Sequence, residues 1–226
     1  MDQPFLLSDS LMCMDQLRAG EQLRVLDRYM DWHHADVMDG HFCPNLTLGP
    51  DFISAVCRAA QKPVDVHLMV ERPQDWIGVF ADTGAAMLSV HAETIRSGAF
   101  RIFRAIRERG CKVGLVLNPI TPFEEILPAV NEIDRLTVMT VEPGYAGQPI
   151  VLPAVEKVKQ AAEYKKQTGA RFEIQIDGCC NKNTYATYKA AGAEMLVMGS
   201  GLFGLDKDIE TAISGMRKQQ TEALKA

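Results

Sequence analysis

The amino-acid sequence predicts an α/β fold, one (β/α)₈ or TIM barrel spanning residues 1–226. Two observations carry this. Short apolar runs alternate with helical patterns about eight times, as in a parallel sheet whose strands are joined by helices. Eight such units in 226 residues leave little room for a second domain, and no Ser- or Pro-rich linker marks one.

Taken in order, the apolar runs place strands at Phe5–Ser8, Trp32–Val37, Val64–Leu68, Met87–Val90, Lys112–Leu117, Arg135–Met139, Phe172–Ile176 and Met195–Met198. Helical spacing places helices at Met14–Tyr29, Pro73–Asp82, Ala99–Arg109, Leu152–Gln167, Asn181–Ala190 and Asp208–Lys218. Leu17, Leu23 and Leu26 read as the buried stripe of the first helix. Prolines in "ERPQDW" and "NPITPFEE" mark helix starts, and the polar tail after Ser214 reads as frayed helix.

Composition narrows the function. A hydrophobic content of 47% supports a large core. The net charge of −5 is scattered, with no basic run, so nucleic-acid and anionic-membrane binding have no electrostatic footprint. No apolar run approaches the ~20 residues that span a bilayer. The N-terminus lacks a basic region followed by an apolar core, so no secretory signal is expected. Cys13, Cys43, Cys57, Cys111, Cys179 and Cys180 form no C-x-x-C pair, and the adjacent pair suits no ordinary disulfide framework. They read as reduced thiols in a cytoplasmic protein.

The stretch "HHADVMDGH" holds three of the five histidines and two aspartates beside Trp32, Val37 and Met38. Uncompensated carboxylates are expensive to bury, so either they are solvated at the strand's end or a positive partner meets them. His34 and Asp36 share a strand face and point to the barrel axis if Ala35 and Val37 face the helices. His67 ends the apolar run "PVDVHLM", and Asp177 follows "FEIQI". Strand ends are where barrels do chemistry. Two imidazoles and two carboxylates converging there suit one divalent ion, with zinc, iron(II), manganese and cobalt all open. His33 is assigned to the outer layer and Asp39 to a loop cap. Nothing in the spacing requires His41 or His91 to line the mouth.

Glycine-rich loops follow the last three strands: "VEPGYAGQP", "DGCC" and "MGSGLFG". Glycines let backbone amides approach an anion, and late barrel loops commonly hold phosphate. Single glycines there could equally make tight turns. Three neighbouring loops favour a phosphorylated small substrate beside a metal.

These segments, with "SDSLMCMD", "HADVMDGHFCPNLTLGP", "PVDVHLMVERPQDW", "VGLVLNPITP", "VMTVEPGYAGQP", "IDGCCN" and "AGAEMLVMGSGLF", resemble the ribulose-phosphate 3-epimerase family over nearly the whole chain. The resemblance implies a barrel of the ribulose-phosphate binding type and a homo-oligomer, dimer or hexamer. Its metal ligands match His34, Asp36, His67 and Asp177, and its two acid–base groups match Asp36 and Asp177. Its substrate contacts match Ser10, His67, Gly144, Tyr145, Ala146, Gly147, Asp177, Gly178, Cys179, Gly199 and Ser200. Met38, Met69 and Met139 match methionines beneath the substrate. "LMCMD", "LTLGP", "HAETI", Ala146 and Cys179-Cys180 are closer to the branch acting on allulose 6-phosphate than to the ribulose 5-phosphate branch. Asp9 departs from a usual Pro beside Ser10, and Glu142 from a usual Asn or Asp.

Epimerisation at carbon 3 needs a carboxylate on each face, because one fixed base returns the proton to the side it left. A metal stabilises the charge that results, and no organic cofactor is required. Rival enzymes fit less well. The decarboxylase pattern Asp-x-Lys-x-x-Asp is absent after Asp36, and no predicted strand ends in the lysine a Schiff-base aldolase needs. A non-catalytic phosphosugar-binding protein would not need both Asp36 and Asp177.

Overall fold

A computed structural model describes residues 4–225. Eight parallel strands close into a barrel in chain order. They are β1 (Leu6–Ser10), β2 (Trp32–Met38), β3 (Val64–Met69), β4 (Met87–His91), β5 (Lys112–Leu117), β6 (Arg135–Met139), β7 (Glu173–Asp177) and β8 (Met195–Met198). The helices are α1 (Ala19–Leu26), α2 (Pro50–Ala59), α3 (Ile77–Ala81), α4 (Ala92–Ile95), α5 (Ala99–Glu108), α6 (Val155–Thr168), α7 (Tyr185–Ala191), α8 (Ser200–Phe203) and α9 (Ile209–Ala223). None among the described residues is long and apolar enough to cross a membrane.

Each strand packs one face outward. Ala35, Val37, Val66, Leu68, Leu88, Val90, Leu136, Val138, Ile174 and Ile176 join the helices in the main hydrophobic core. The alternate residues point inward, where the buried Ser8 hydroxyl lacks a partner but charged side chains are paired. Arg135, wholly buried, is the clearest example. Its guanidinium reaches Asp65 at 3.2 Å and Glu173 at 2.7 Å, and stacks 4.2 Å over the Trp32 ring.

Several sequence expectations change. Leu17 is 98% exposed and lies in a 3-10 turn, Gln16–Arg18, ahead of α1. Six helical residues rotate the chain by about 600°, so Leu17 never shared a face with Leu23. Asp15 fixes the turn instead, accepting a hydrogen bond from the Leu17 amide. Between β5 and β6 the chain makes two 3-10 turns and no α-helix. Pro128 lies between them, lacking the N–H that a continuing helix needs. At the other end α9 runs to Ala223, so the tail after Ser214 is ordered helix. Ile209, Ala212, Ile213, Met216 and Gln220 keep one buried face throughout.

His33 does face the outer layer, and it is fully buried there. Its Nδ1 lies 2.7 Å from Asp9 Oδ1 and its Nε2 3.0 Å from Asp27 Oδ1. Burial disfavours its charge, but the two carboxylates prevail and raise its pKa to about 9. Asp27 also accepts the amides of Gln61 and Lys62, which ties β1, the end of α1 and the approach to β3 together. Asp9, the neighbour of Ser10, therefore points away from the barrel interior that Ser10 faces. Period-two alternation put Asp9 and Ser10 on opposite faces of β1.

Candidate active site

Strand register assembles the site. Parallel pairing sets Asp36 beside His67, His34 beside Asp65, and Met139 beside Asp177. Four ligand-type atoms then face one another inside the upper barrel. His34 Nε2 lies 3.2 Å from His67 Nδ1, 3.4 Å from Asp36 Oδ1 and 3.7 Å from Asp177 Oδ2. His67 Nδ1 lies 3.4 Å from the same Asp36 oxygen and 3.6 Å from the same Asp177 oxygen. All four atoms lie within 4.8 Å of one another.

Those separations test whether a metal fits. Tetrahedral ligand atoms about 2.1 Å from a centre stand about 3.4 Å apart. Two buried carboxylates pointed at one spot also repel each other unless a cation lies between them. Spacing and charge therefore support one divalent ion, with a nitrogen–oxygen donor set open to zinc, iron(II), manganese or cobalt.

The two carboxyl groups differ in environment. Burial and the Asp36 charge push Asp177 up to about 7. Burial acts on Asp36 in the same sense, but His34 and His67 outweigh it and hold Asp36 below the usual carboxylate range. The Ser10 hydroxyl donates to Asp36 Oδ2 at 2.7 Å, leaving Oδ1 for the imidazoles. Behind the cluster, His34 Nδ1 faces Asp65 Oδ2 at 3.3 Å, and Ser89 Oγ donates to Asp65 Oδ1 at 2.6 Å.

Above the four atoms opens a cavity. Ser10, Asp36, Gly144, Tyr145, Ala146, Gly147, Asp177, Gly178, Cys179, Gly199 and Ser200 all line it, as do Met38, Met69 and Met139. His34 and His67 are fully buried beneath it. Among the described residues, its lining includes no lysine or arginine. Gly178 is required by its surroundings: φ is +110°, and a Cβ there would lie 2.7 Å from Val141 Cγ2. The Gly178 carbonyl accepts hydroxyl hydrogen bonds from Thr140 at 2.7 Å and Tyr188 at 3.0 Å.

Two features escaped the sequence reading. Met12 and Cys13 line the cavity from the turn after β1, a position that "LMCMD" at a strand end signals in retrospect. Burial pushes the Cys13 thiol up to about 11, with Asp36 adding to it. His91 does not line the mouth but lies fully buried behind His67, their Nε2 atoms 2.9 Å apart. Burial lowers both imidazoles, His91 to about 4. Asp39 caps its loop as expected, accepting the amides of His41, Phe42 and Glu71.

A closed parallel barrel with a metal-ligand cluster at the carboxyl ends of its strands defines a class of small-molecule enzyme. Comparison with known proteins narrows it. Residues 6–203 match the Ribulose-phosphate 3 epimerase family. The chain is 40% identical over 215 residues to the ribulose-phosphate 3-epimerase of Bacillus subtilis (strain 168), covering 93% of this chain and 97% of that one. It is 36% identical over 220 residues to the ribulose-phosphate 3-epimerase of Aquifex aeolicus (strain VF5), covering 97% and 98%. The chain belongs to the ribulose-phosphate 3-epimerase family and is an isomerase, an epimerase acting on a carbohydrate phosphate. Among solved structures, a tryptophan synthase α-subunit mutant from Pyrococcus furiosus aligns with a TM-score of 0.68 at 15% identity, covering 98% of each chain. Phosphoribosyl anthranilate isomerase from Thermococcus kodakaraensis aligns at 0.66 and 13%, covering 97% of this chain and 98% of that one. Both likenesses concern the fold alone.

Proposed function

We propose that the chain inverts carbon 3 of a ketose phosphate, with Asp36 and Asp177 as the two acid–base groups. One observation carries the reading. These carboxyl groups reach the same cavity from β2 and β7, three strands apart around the barrel, and approach the same two imidazoles. A substrate carbon held between them meets one carboxyl group on each face. The ionised member takes the proton from carbon 3, and the protonated member returns one to the opposite face. In the reverse direction they exchange roles. The exchange requires one group to be charged and the other protonated at the start of each turnover.

His34, Asp36, His67 and Asp177 would hold the metal. When bound, that ion supplies Lewis-acid stabilisation of the negative charge that builds up as the proton leaves. The Ser10 hydroxyl orients Asp36. Met38, Met69 and Met139 form an apolar floor that limits water at the reacting carbon. With no cationic side chain in the lining, the phosphate is assigned to backbone amides around Gly147, Gly178–Cys179 and Gly199–Ser200.

The relatives' names favour ribulose 5-phosphate, converted to xylulose 5-phosphate, over the six-carbon substrate that the sequence motifs first suggested. A second reading, allulose 6-phosphate to fructose 6-phosphate, draws support from Cys13, Ala146 and Cys179 in the cavity lining. The ratio of kcat/KM for the two substrates, measured with the same metal, tests the choice. One carbon is worth about 10–200-fold in such a pocket. A ratio favouring the hexulose phosphate overturns the five-carbon reading and leaves the two-carboxylate chemistry standing.

A further inference from the structure

Behind His67 runs a hydrogen-bonded chain that the reaction itself does not use. His67 Nε2 meets His91 Nε2 at 2.9 Å, and His91 Nδ1 meets Glu93 Oε2 at 3.2 Å. The other Glu93 oxygen accepts the Asn118 amide at 2.9 Å and the Thr121 hydroxyl. All three groups lie inside the protein: His67 and His91 are fully buried, and the Glu93 side chain is 19% exposed. The chain thus joins the end of β3 to the loop after β5, passing through β4 and α4.

With both imidazoles neutral, one placement of protons satisfies every link. Both partners of Glu93 Oε1 are donors, and a carboxylate accepts only, so His91 must carry its proton on Nδ1. Its Nε2 is then an acceptor, which places the His67 proton on Nε2. His67 Nδ1, the atom facing Asp36 and Asp177, is left with a bare lone pair. We propose that His91 and Glu93 are positioning residues, a relay anchored by Thr121 that fixes the ring and tautomer of His67 as a metal ligand. The inference rests on reading the four-residue cluster as a metal site. Outer partners of this kind set ligand orientation and basicity in metal sites generally.

A glutamine at position 93 should reverse the relay. Its carbonyl would take the two donors from Asn118 and Thr121, turning its amide N–H toward His91 Nδ1. The His91 proton would then sit on Nε2, and the His67 proton on Nδ1, in the mouth of the cluster. The experiment titrates chelator-treated full-length protein with Co(II) against a coloured competing chelator. It records affinity, the visible Co(II) absorption and the thermal stability of the metal-free chain. Glu93→Gln is expected to weaken Co(II) binding about 10–100-fold, the usual cost of losing an outer partner, and to alter the Co(II) spectrum. Its turnover should recover as Co(II) is raised, which a general packing defect would not allow. Thr121→Ser should bind as the parent does, while Thr121→Val should lose affinity in the same direction as Glu93→Gln. The Thr121 pair carries the comparison if Glu93→Gln fails to fold. Affinity within twofold of the parent in both Glu93→Gln and Thr121→Val overturns the relay. A parent protein that takes up no Co(II) overturns the metal site itself, a result visible before any variant is made.

Discussion

Replacing Asp36 or Asp177 by Asn separates proton removal from inversion. The two side chains are similar in size, and the Ser10 hydroxyl that donates to Asp36 Oδ2 at 2.7 Å can still donate to an Asn oxygen. The barrel should therefore close as before. On the proposed two-carboxylate mechanism, each variant loses one proton-transferring group on one face of the substrate. A positioned acid or base is worth about 10²–10⁴-fold, or roughly 2.7–5.4 kcal/mol in activation free energy. The lower end is the minimum expected for either variant, since inversion needs both carboxyl groups in each turnover. The assay follows product formation and carbon 3 hydrogen exchange in heavy water, with bound metal measured on the same samples. Each variant should retain exchange from one epimer while failing to produce the other, and the two variants should differ in which epimer exchanges. The metal measurement matters because both oxygens lie 3.4–3.7 Å from the imidazole nitrogens and belong to the same cluster. Epimerisation near the parent rate by either variant with its metal retained would refute the two-carboxylate assignment.

Three further outcomes follow from particular contacts. Treatment with a chelator should abolish turnover and a divalent ion should restore it; full activity in rigorously metal-free protein would remove the role given to the cluster. Burial raises Glu93, but His91, Thr121 and the Asn118 amide prevail and lower it from 4.5 to about 2. Its contribution is thus present above pH 4.5 and lost as pH falls toward 2, so the stability gap between metal-free parent and Glu93→Gln should shrink by about 2 kcal/mol from pH 6 to 3. A gap constant with pH in urea unfolding would contradict this. Gly114→Ala places a Cβ 2.0 Å from Ser89 Oγ and 2.8 Å from Ser89 Cβ. It should cost about 1–3 kcal/mol as an overpacked core substitution, and Ser89→Gly in the same chain should recover most of the packing loss; a fully additive double variant would count against the clash.

The sequence by itself determined the strands, their alternation with helices and the direction of their charged residues. His34 and Asp36 could be placed on one inward face because a strand repeats every two residues, a property of one segment alone. The same rule sent His33 outward, while the apolar run before Gly178 set Asp177 at a strand end. The rule was also available for Asp9, whose alternation with Ser10 points it to His33. Tertiary structure decided what stands across from each residue. No spacing along the chain relates His91 to His67, yet neighbouring β3 and β4 bring their Nε2 atoms to 2.9 Å. Likewise, Pro128 and the turns around it replace a helix that the strand–helix count implied. Periodicity fixes which way a side chain points, because backbone geometry is local. The partner it meets depends on inter-strand register and barrel closure, which join residues far apart in the chain.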